Sequence, residues 1–431
     1  MRFELLPPRE QIVTIMERIY GYSMTTTSGG NLSLLDSNGD VWITPAGIDK
    51  GALRPADISC VKPDGTIEGP HRPSSEYPFH RAIYQMRPDF RAIVHAHPPA
   101  LVSFSIVRKI PNTNIIPQAH YVCGTVGYAP YALPGSERLG QVIADTFGQG
   151  VDVVLLENHG TVTGGKDLLT AFHRFETLDF CARTLIRART VGEVRSLTSE
   201  EIELSRQRGE KLRKFRPEGH TTRELELRSK IVDMVHRAYD QRLMTSTEGT
   251  VSARIDETTF LITPFGVDRK YLDVEDLVLI RDDRRERRKR PSRAVRLHMT
   301  IYREHPHIGA IITAQSPSAT AYSVTGAKLD TRTIPESYIV LRDIPLVPYG
   351  EQFGNGEALS KRLGETVPVV LLQNDAILTT GRDLAQAFDR LEVAEFSASA
   401  LIDTEPIGDM VPIGDIALAE LEAKFLSTPA T

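Results

Sequence analysis

The amino-acid sequence repeats itself, so any fold proposed for it must be one that occurs twice. REQIVTIMERIY at 9–20 returns as RSKIVDMVHRAY at 228–239, and WITPAGIDK at 42–50 returns as LITPFGVDR at 261–269. RPSSEYPFHRAIY at 72–84 reappears as RPSRAVRLHMTIY at 290–302, AIVHAHPPA at 92–100 as AIITAQSPS at 310–318, and VVLLENHGTVTGG at 153–165 as VVLLQNDAILTTG at 369–381. The order of the blocks is kept with small changes of register, so one domain of about 190 residues is present in two copies. At 431 residues the chain is also longer than a single hydrophobic core usually grows.

Each copy opens with an amphipathic helix and continues with short β-rich runs divided by Gly and Pro. It ends in alternating helices and strands. VDVVLLEN and PVVLLQN are continuously apolar at strand length, which predicts strands covered on both faces. DLLTAFHRFETLDFCARTLIRA carries apolar residues three and four apart and reads as a long closing helix, with DLAQAFDRLEVAEFSASALI as its partner in the second copy. The fold class is therefore α/β, with domains at 1–192 and 221–431. The charged segment 193–220 joins them. Its Ser-Leu-Thr-Ser-Glu-Glu stretch has the form of a capped helix start and Pro217 and Gly219 mark a break, so a helical connector is expected.

Composition excludes more than it selects. Hydrophobic residues make up 41% and charged residues 25%, as in an ordinary globular protein. A net charge of -5 gives no global reason to expect nucleic acid or an anionic membrane as partner. No apolar run approaches the roughly 18 residues of a membrane span, and MRFELLPPRE is not a signal peptide, so a cytoplasmic location is expected. Three widely separated cysteines (Cys60, Cys123 and Cys181) suggest neither a disulfide framework nor a thiolate zinc site. Any metal must rest on His and carboxylate.

In AIVHAHPPA, His95 and His97 lie two positions apart at the end of a strand-like run, which sends both imidazoles to one face. The second copy supplies a control. There His95 becomes Thr313, His97 becomes Gln315, Glu76 becomes Ala294 and His159 of ENHG becomes Asp375 of QNDA, while the scaffold positions match. Core histidines with satisfied hydrogen bonds give no reason for four separated polar positions to change together; a shared ligand does. Three imidazoles and a carboxylate suit Zn²⁺, with other divalent transition metals possible on the same ligand set. Three protein ligands leave a position for water or substrate. Glu76 can then be a weak fourth ligand that moves away to act as a base, provided that burial brings its pKa towards the operating pH.

GGNLSL, ITPAG, PSSEYPFH, HAH, HY and ENHGTVTGG, in this order and spacing, resemble the class II aldolase/adducin family. The resemblance spans nearly all of the first copy; the second matches in scaffold only. It implies a three-layer α/β/α domain around a mostly antiparallel sheet, and a fourfold ring with sites between subunits, here two chains forming a pseudo-tetramer. It implies further that His95, His97 and His159 bind zinc and that Glu76 is the catalytic acid/base. Gly30, Asn31, Gly47, Ser74 and Ser75 would line the pocket for a phosphate or other anionic end of a sugar-type substrate, and Tyr121 would donate a proton to a neighbour's site. The reaction implied is zinc-dependent retro-aldol cleavage of a small hydroxy-ketone, a ketose phosphate or sugar acid. The family's dehydratases, decarboxylases and epimerases, and an adducin-like non-catalytic scaffold, are the alternatives. The bland reading of PSSE is a helix N-cap, and both readings can hold at once.

Several positions depart from that pattern. Ala46 stands where these aldolases often have Thr or Ser, which removes a hydroxyl from the anion pocket. In the second copy Thr250 replaces Asn31, Ala376 replaces Gly160, and Phe265 is expected to fill the former anion pocket with an aromatic ring. If the copies alternate around a ring, the second copy places Ile339 opposite Tyr121, with Tyr338 one position away. In a strand such a shift reverses the face, so chemistry other than simple fuculose-phosphate cleavage is expected. The arginine-rich run RDDRRERRKRP at 281–291 replaces KPDGTIEGPHR and reads as a solvated hairpin loop.

Overall fold

The computed structural model describes residues 2–207 and 211–426. It divides into two compact units, residues 1–113 with 118–183 and residues 114–117 with 184–431, so the division falls inside the closing helix Leu168–Val191. Each unit is built around one large sheet, and together they make two tandem α/β domains.

The first sheet has eight strands, in the order Ile67–Glu68, Ser59–Val61, Val41–Ile43, Asn31–Leu35, Ala92–Ala96, Thr161–Gly165, Val153–Leu156 and Val126–Ala129. All neighbours are antiparallel except the last pair. Alternation along Val153–Leu156 shows the layering. Val154 and Leu156 pack with Phe79, Ile83, Leu139, Ile143 and Phe147 of the helices Tyr77–Met86 and Glu137–Gly148. Val153 and Leu155 pack on the other face with Leu101, Leu178 and Ala182 of the helices Pro99–Ile106 and Leu168–Val191. A strand covered on both sides must be apolar throughout, which is why the run reads Val-Val-Leu-Leu. The opening helix Pro8–Gly21 buries Ile12, Ile15, Met16 and Ile19, a stripe at helical spacing.

The second unit repeats this plan with nine strands, in which Thr250–Arg254 and Ala310–Ala314 occupy the central places held by Asn31–Leu35 and Ala92–Ala96. Its closing helix is Leu384–Thr404. Where the first unit has the twelve-residue helix Glu137–Gly148, the second has only Glu357–Ser360. Its ninth strand, Arg213–Phe215, pairs in parallel with Arg284–Glu286 and has no equivalent in the first sheet.

Two sequence expectations are revised. Among the described residues of 193–220 the helix is only Ser199–Leu204, behind a reciprocal Thr198–Glu201 capping box, and part of the remainder is that ninth strand. The arginine-rich run is not one loop: Val278–Arg281 and Arg284–Glu286 form a hairpin whose turn residues Asp282 and Asp283 have φ of 48° and 57°, the sense of rotation that tight hairpins require. Among the described residues no helix is long and apolar enough to cross a membrane.

The recurring ITP-x-G block has a structural cause. Lys50 is buried and its ammonium donates to the carbonyl of Pro45 at 2.8 Å. Arg269 likewise donates to Pro264 and Val267. A cation at that position satisfies turn carbonyls that no strand can reach.

Candidate metal centre

His95 is the penultimate residue of the strand Ala92–Ala96, His97 lies just past its end, and His159 sits in the turn between Val153–Leu156 and Thr161–Gly165. One ring nitrogen from each can be chosen so that all three lie within 4.8 Å of one another. The turn holding His159 passes through Asn158, with φ of 51°, and its counterpart Asn374 has the same φ. Asn tolerates that left-handed conformation better than most residues, so its recurrence in ENHG and QNDA is structural.

The donor set fits a cation. The carbonyl of Thr161 lies 3.0 Å from His95 Nδ1 and can only accept, so Nδ1 carries the hydrogen. In the neutral ring this leaves the His95 Nε2 lone pair facing His97 Nε2 at 3.1 Å and Glu76 Oε2 at 3.2 Å. Acceptors turned on one another in this way call for a positive centre among them. The other Glu76 oxygen is buried without a hydrogen-bond partner and lies 3.6 Å from His159 Nε2. Burial and the neighbouring His95 push His97 down to about 3 and His159 to about 4, so both are neutral at physiological pH, as ligands must be.

Glu76 immediately precedes the helix Tyr77–Met86 and makes no side-chain cap. Its backbone N–H donates to Ser74 Oγ at 3.3 Å. Burial raises its pKa, as expected from sequence. The Asn31 amide, which donates to Oε2, and whatever positive charge sits among His95, His159 and a cation held by them more than offset that effect and hold the carboxyl below its ordinary value. It is therefore ionised at rest, not poised near neutrality.

Asn31 donates to Glu76 Oε2 at 2.8 Å, and its own carbonyl oxygen meets His80 Nε2. His80 Nδ1 pairs with Ser33 Oγ at 2.7 Å, and Ser33 with the Tyr84 hydroxyl at 2.8 Å. Sequence reasoning missed His80, Ser33 and Tyr84. All three recur as His298, Ser252 and Tyr302, with the same 2.7 and 2.8 Å contacts, and recurrence marked them as scaffold. Only the last link differs: with Thr250 in place of Asn31, His298 Nε2 is buried without a partner.

Gly30, with φ of 71°, lies against the His95 backbone: a Cβ there would stand 2.8 Å from the His95 carbonyl oxygen. A Cβ on Gly160 would stand 2.5 Å from His97 Cδ2 and 2.6 Å from the Ala96 oxygen. Gly47 also has φ of 71° and would meet nothing within 4 Å. Ser74 is buried and Ser75 exposed.

Tyr121 is half-buried on the helix Pro117–Cys123, its ring against His120. Its counterpart segment is the helix Pro335–Leu341, so the argument from strand faces does not apply: one residue turns a helix by about 100°. Tyr338 hydrogen-bonds Glu422. In the second unit the position of His159 is taken by a carboxylate that is hydrogen-bonded within the protein. Half-buried Asp375 accepts from Gln352 at 3.1 Å, and desolvation raises its carboxyl to about 6. Phe265 does not fill a pocket: it is 37% exposed, with the Arg290 guanidinium 3.9 Å above its ring.

The model of the family described as Class II Aldolase and Adducin N-terminal domain matches residues 10–186 and again 229–402. The chain belongs to this family and carries its domain twice. A 5-deoxy-D-ribulose 1-phosphate aldolase from Bacillus thuringiensis is 32% identical over 201 residues, 45% of this chain and 92% of that protein. A 3-oxo-tetronate 4-phosphate decarboxylase from Escherichia coli is 34% identical over 202 residues, 44% of this chain and 95% of that protein. A solved L-fuculose 1-phosphate aldolase is 33% identical with a TM-score of 0.42, covering 46% of this chain and 93% of that one.

Proposed function

We propose that the first unit is a zinc-dependent carbon–carbon lyase acting on a small hydroxy-ketone with an anionic end. The observation that carries this reading is the convergence of three imidazoles, two of which also face the Glu76 carboxylate, with all four side chains replaced in the second copy. A scaffold protein has no use for such a set. His95, His97 and His159 would hold the cation, with Glu76 as a weak fourth ligand, and it would supply a Lewis acid for the substrate carbonyl.

This chain's residues do the rest. In the condensation direction ionised Glu76 can take a proton from the carbon beside the carbonyl; in cleavage the proton released by the hydroxyl that becomes the aldehyde must reach Glu76, which then delivers it to the carbon that inherits the bonding pair. Asn31 fixes the carboxylate through Oε2 and leaves Oε1 free. Gly30, Gly47, Ser74 and Ser75 are the proposed contacts for the anionic end. Tyr121 is the proposed proton-transfer group at the hydroxyl, taking its proton as the aldehyde departs in cleavage and donating to the aldehyde oxygen in condensation, and it would serve a neighbouring subunit in an oligomer such as the two-chain pseudo-tetrameric ring.

Decarboxylation is the second reading, supported by the decarboxylase relative. Loss of CO₂ from a 3-oxo acid also leaves an electron pair beside a carbonyl, so the same residues serve. Zinc-loaded protein offered L-fuculose 1-phosphate, 5-deoxy-D-ribulose 1-phosphate and 3-oxo-tetronate 4-phosphate decides between them: aldehyde release marks a lyase of the aldol type and CO₂ release a decarboxylase. Turnover equal in a Glu76→Gln variant would remove Glu76 from the mechanism.

A further inference from the structure

The second unit lacks counterparts of His95, His97 and His159 and carries cations elsewhere. A cavity of about 700 Å³ opens beside the helix Val295–Glu304. Nine of its thirteen lining residues are Lys or Arg and none is Asp or Glu, in a chain whose net charge is -5. One wall is the added strand, with Lys214, and the residue Lys211 just before it; the other is the hairpin and the turn after it, with Arg287, Arg288 and Arg290.

Some of the lining cations are already committed. Lys289 pairs with Glu286 at 2.9 Å, Arg293 with Glu248 at 3.1 Å, and Arg285 donates to the carbonyls of Glu286 and Lys289. Among the described residues, no carboxylate pairs with Lys211, Lys214, Arg287, Arg288 or Arg290. These five side chains are solvent-exposed and share one hollow, so together they raise a positive potential there that attracts an anion. Arg288 is held at φ of 72°, a conformation uncommon for a residue with a side chain.

The first copy is again the control. There Lys62 is neutralised by Asp40 at 2.8 Å and Glu68 at 3.2 Å, His71 meets Asp57 at 3.3 Å, and no added strand builds a facing wall. The cationic hollow is thus a property of the second copy alone. Its volume is that of a small-molecule site. Guanidinium groups match phosphate oxygens two bonds at a time.

We propose that this cavity binds a small ligand carrying two or more linked phosphate groups, such as a nucleoside polyphosphate or a short inorganic polyphosphate. The second copy would then be a ligand-binding domain as well as a relic of the first. The proposal is independent of the metal site.

Calorimetric titration of the full chain with sodium tripolyphosphate, ATP and sulfate at fixed ionic strength tests it. We expect saturable binding of tripolyphosphate near one per chain, and sulfate weaker by about tenfold or more. Charge reversal on either wall should weaken tripolyphosphate by at least about tenfold. One variant joins Arg287→Glu, Arg288→Glu and Arg290→Glu; the other joins Lys211→Glu and Lys214→Glu. Polyphosphate also chelates metals, but that effect is common to wild type and variants, so their difference reads the cavity alone. ATP tighter than tripolyphosphate indicates a nucleotide, and the reverse order indicates the polyphosphate itself; both uphold the site. No saturable binding to wild type, or equal binding by both variants, overturns it. So does a single-stranded oligonucleotide that binds more tightly than tripolyphosphate with affinity rising with length, since that describes a nucleic-acid face.

Discussion

Glu76 sits where an amide and two imidazoles meet one carboxylate, and its replacement separates binding from chemistry. Glu76→Gln keeps the shape and removes the exchangeable charge. We expect turnover to fall by about 10²–10⁴-fold while the protein retains bound metal, read by elemental analysis beside the activity assay. Gly160→Ala tests a different residue-scale constraint. The new methyl would press on His97 and the Ala96 carbonyl, so metal affinity should fall by about tenfold or more, measured by competition with a chromophoric chelator. The second copy has Ala376 there, where no imidazole needs the space. The four lost polar residues were legible because the chain contains its own comparison. Asn31 as the orienting link to Glu76 was not, because its role depends on His80 approaching from a helix 49 residues away.

Strand and helix meet in the buried Ser-His-Tyr networks, where one helix face is tied to the central strand of each sheet. Burial drives His298 down to about 3, against about 6.5 in an unfolded chain. Between those values the unfolded state binds more protons than the folded one. This contribution to stability is therefore complete above about pH 6.5 and declines as pH falls towards 3. Urea midpoints measured from pH 7 to 4 should drop in wild type and drop less steeply in His298→Asn, which removes the titrating group. In the first unit, Asn31→Thr recreates the second copy's arrangement and leaves His80 Nε2 without its partner. It should cost about 1–3 kcal/mol of stability, read by denaturant unfolding, and should lower turnover as well. Periodicity foretold the helices and strands of these networks. It missed the ninth strand, because Arg213–Phe215 is short, polar and defined only by pairing with Arg284–Glu286.

At the scale of the whole chain, duplication with divergence predicts asymmetric chemistry. Metal content should be one ion per 431-residue chain, not two, with none bound by a His95→Ala, His97→Ala variant; elemental analysis of dialysed protein checks both. Restoring only Thr313→His and Gln315→His should not create a second site, since Ala294 and Ala376 still stand where Glu76 and Gly160 are required. If Tyr121 serves a neighbouring subunit, mixing inactive Glu76→Gln chains with inactive Tyr121→Phe chains should recover part of the activity. No recovery after subunit exchange would confine the donor to its own chain.

By itself the sequence determined that one α/β domain occurs twice, that its central strands are buried on both faces, and that only the first copy keeps His95, His97, His159 and Glu76, a set able to hold a metal. Those conclusions rest on periodicity and on differences between matched positions, both of which are local and additive along the chain. Only the tertiary structure decided that Glu76 is held ionised, that His80 acts on it through Asn31, and that scattered basic residues enclose a cavity. Each of these depends on distances between side chains far apart in sequence, where burial and a neighbouring charge compete and geometry alone sets which prevails.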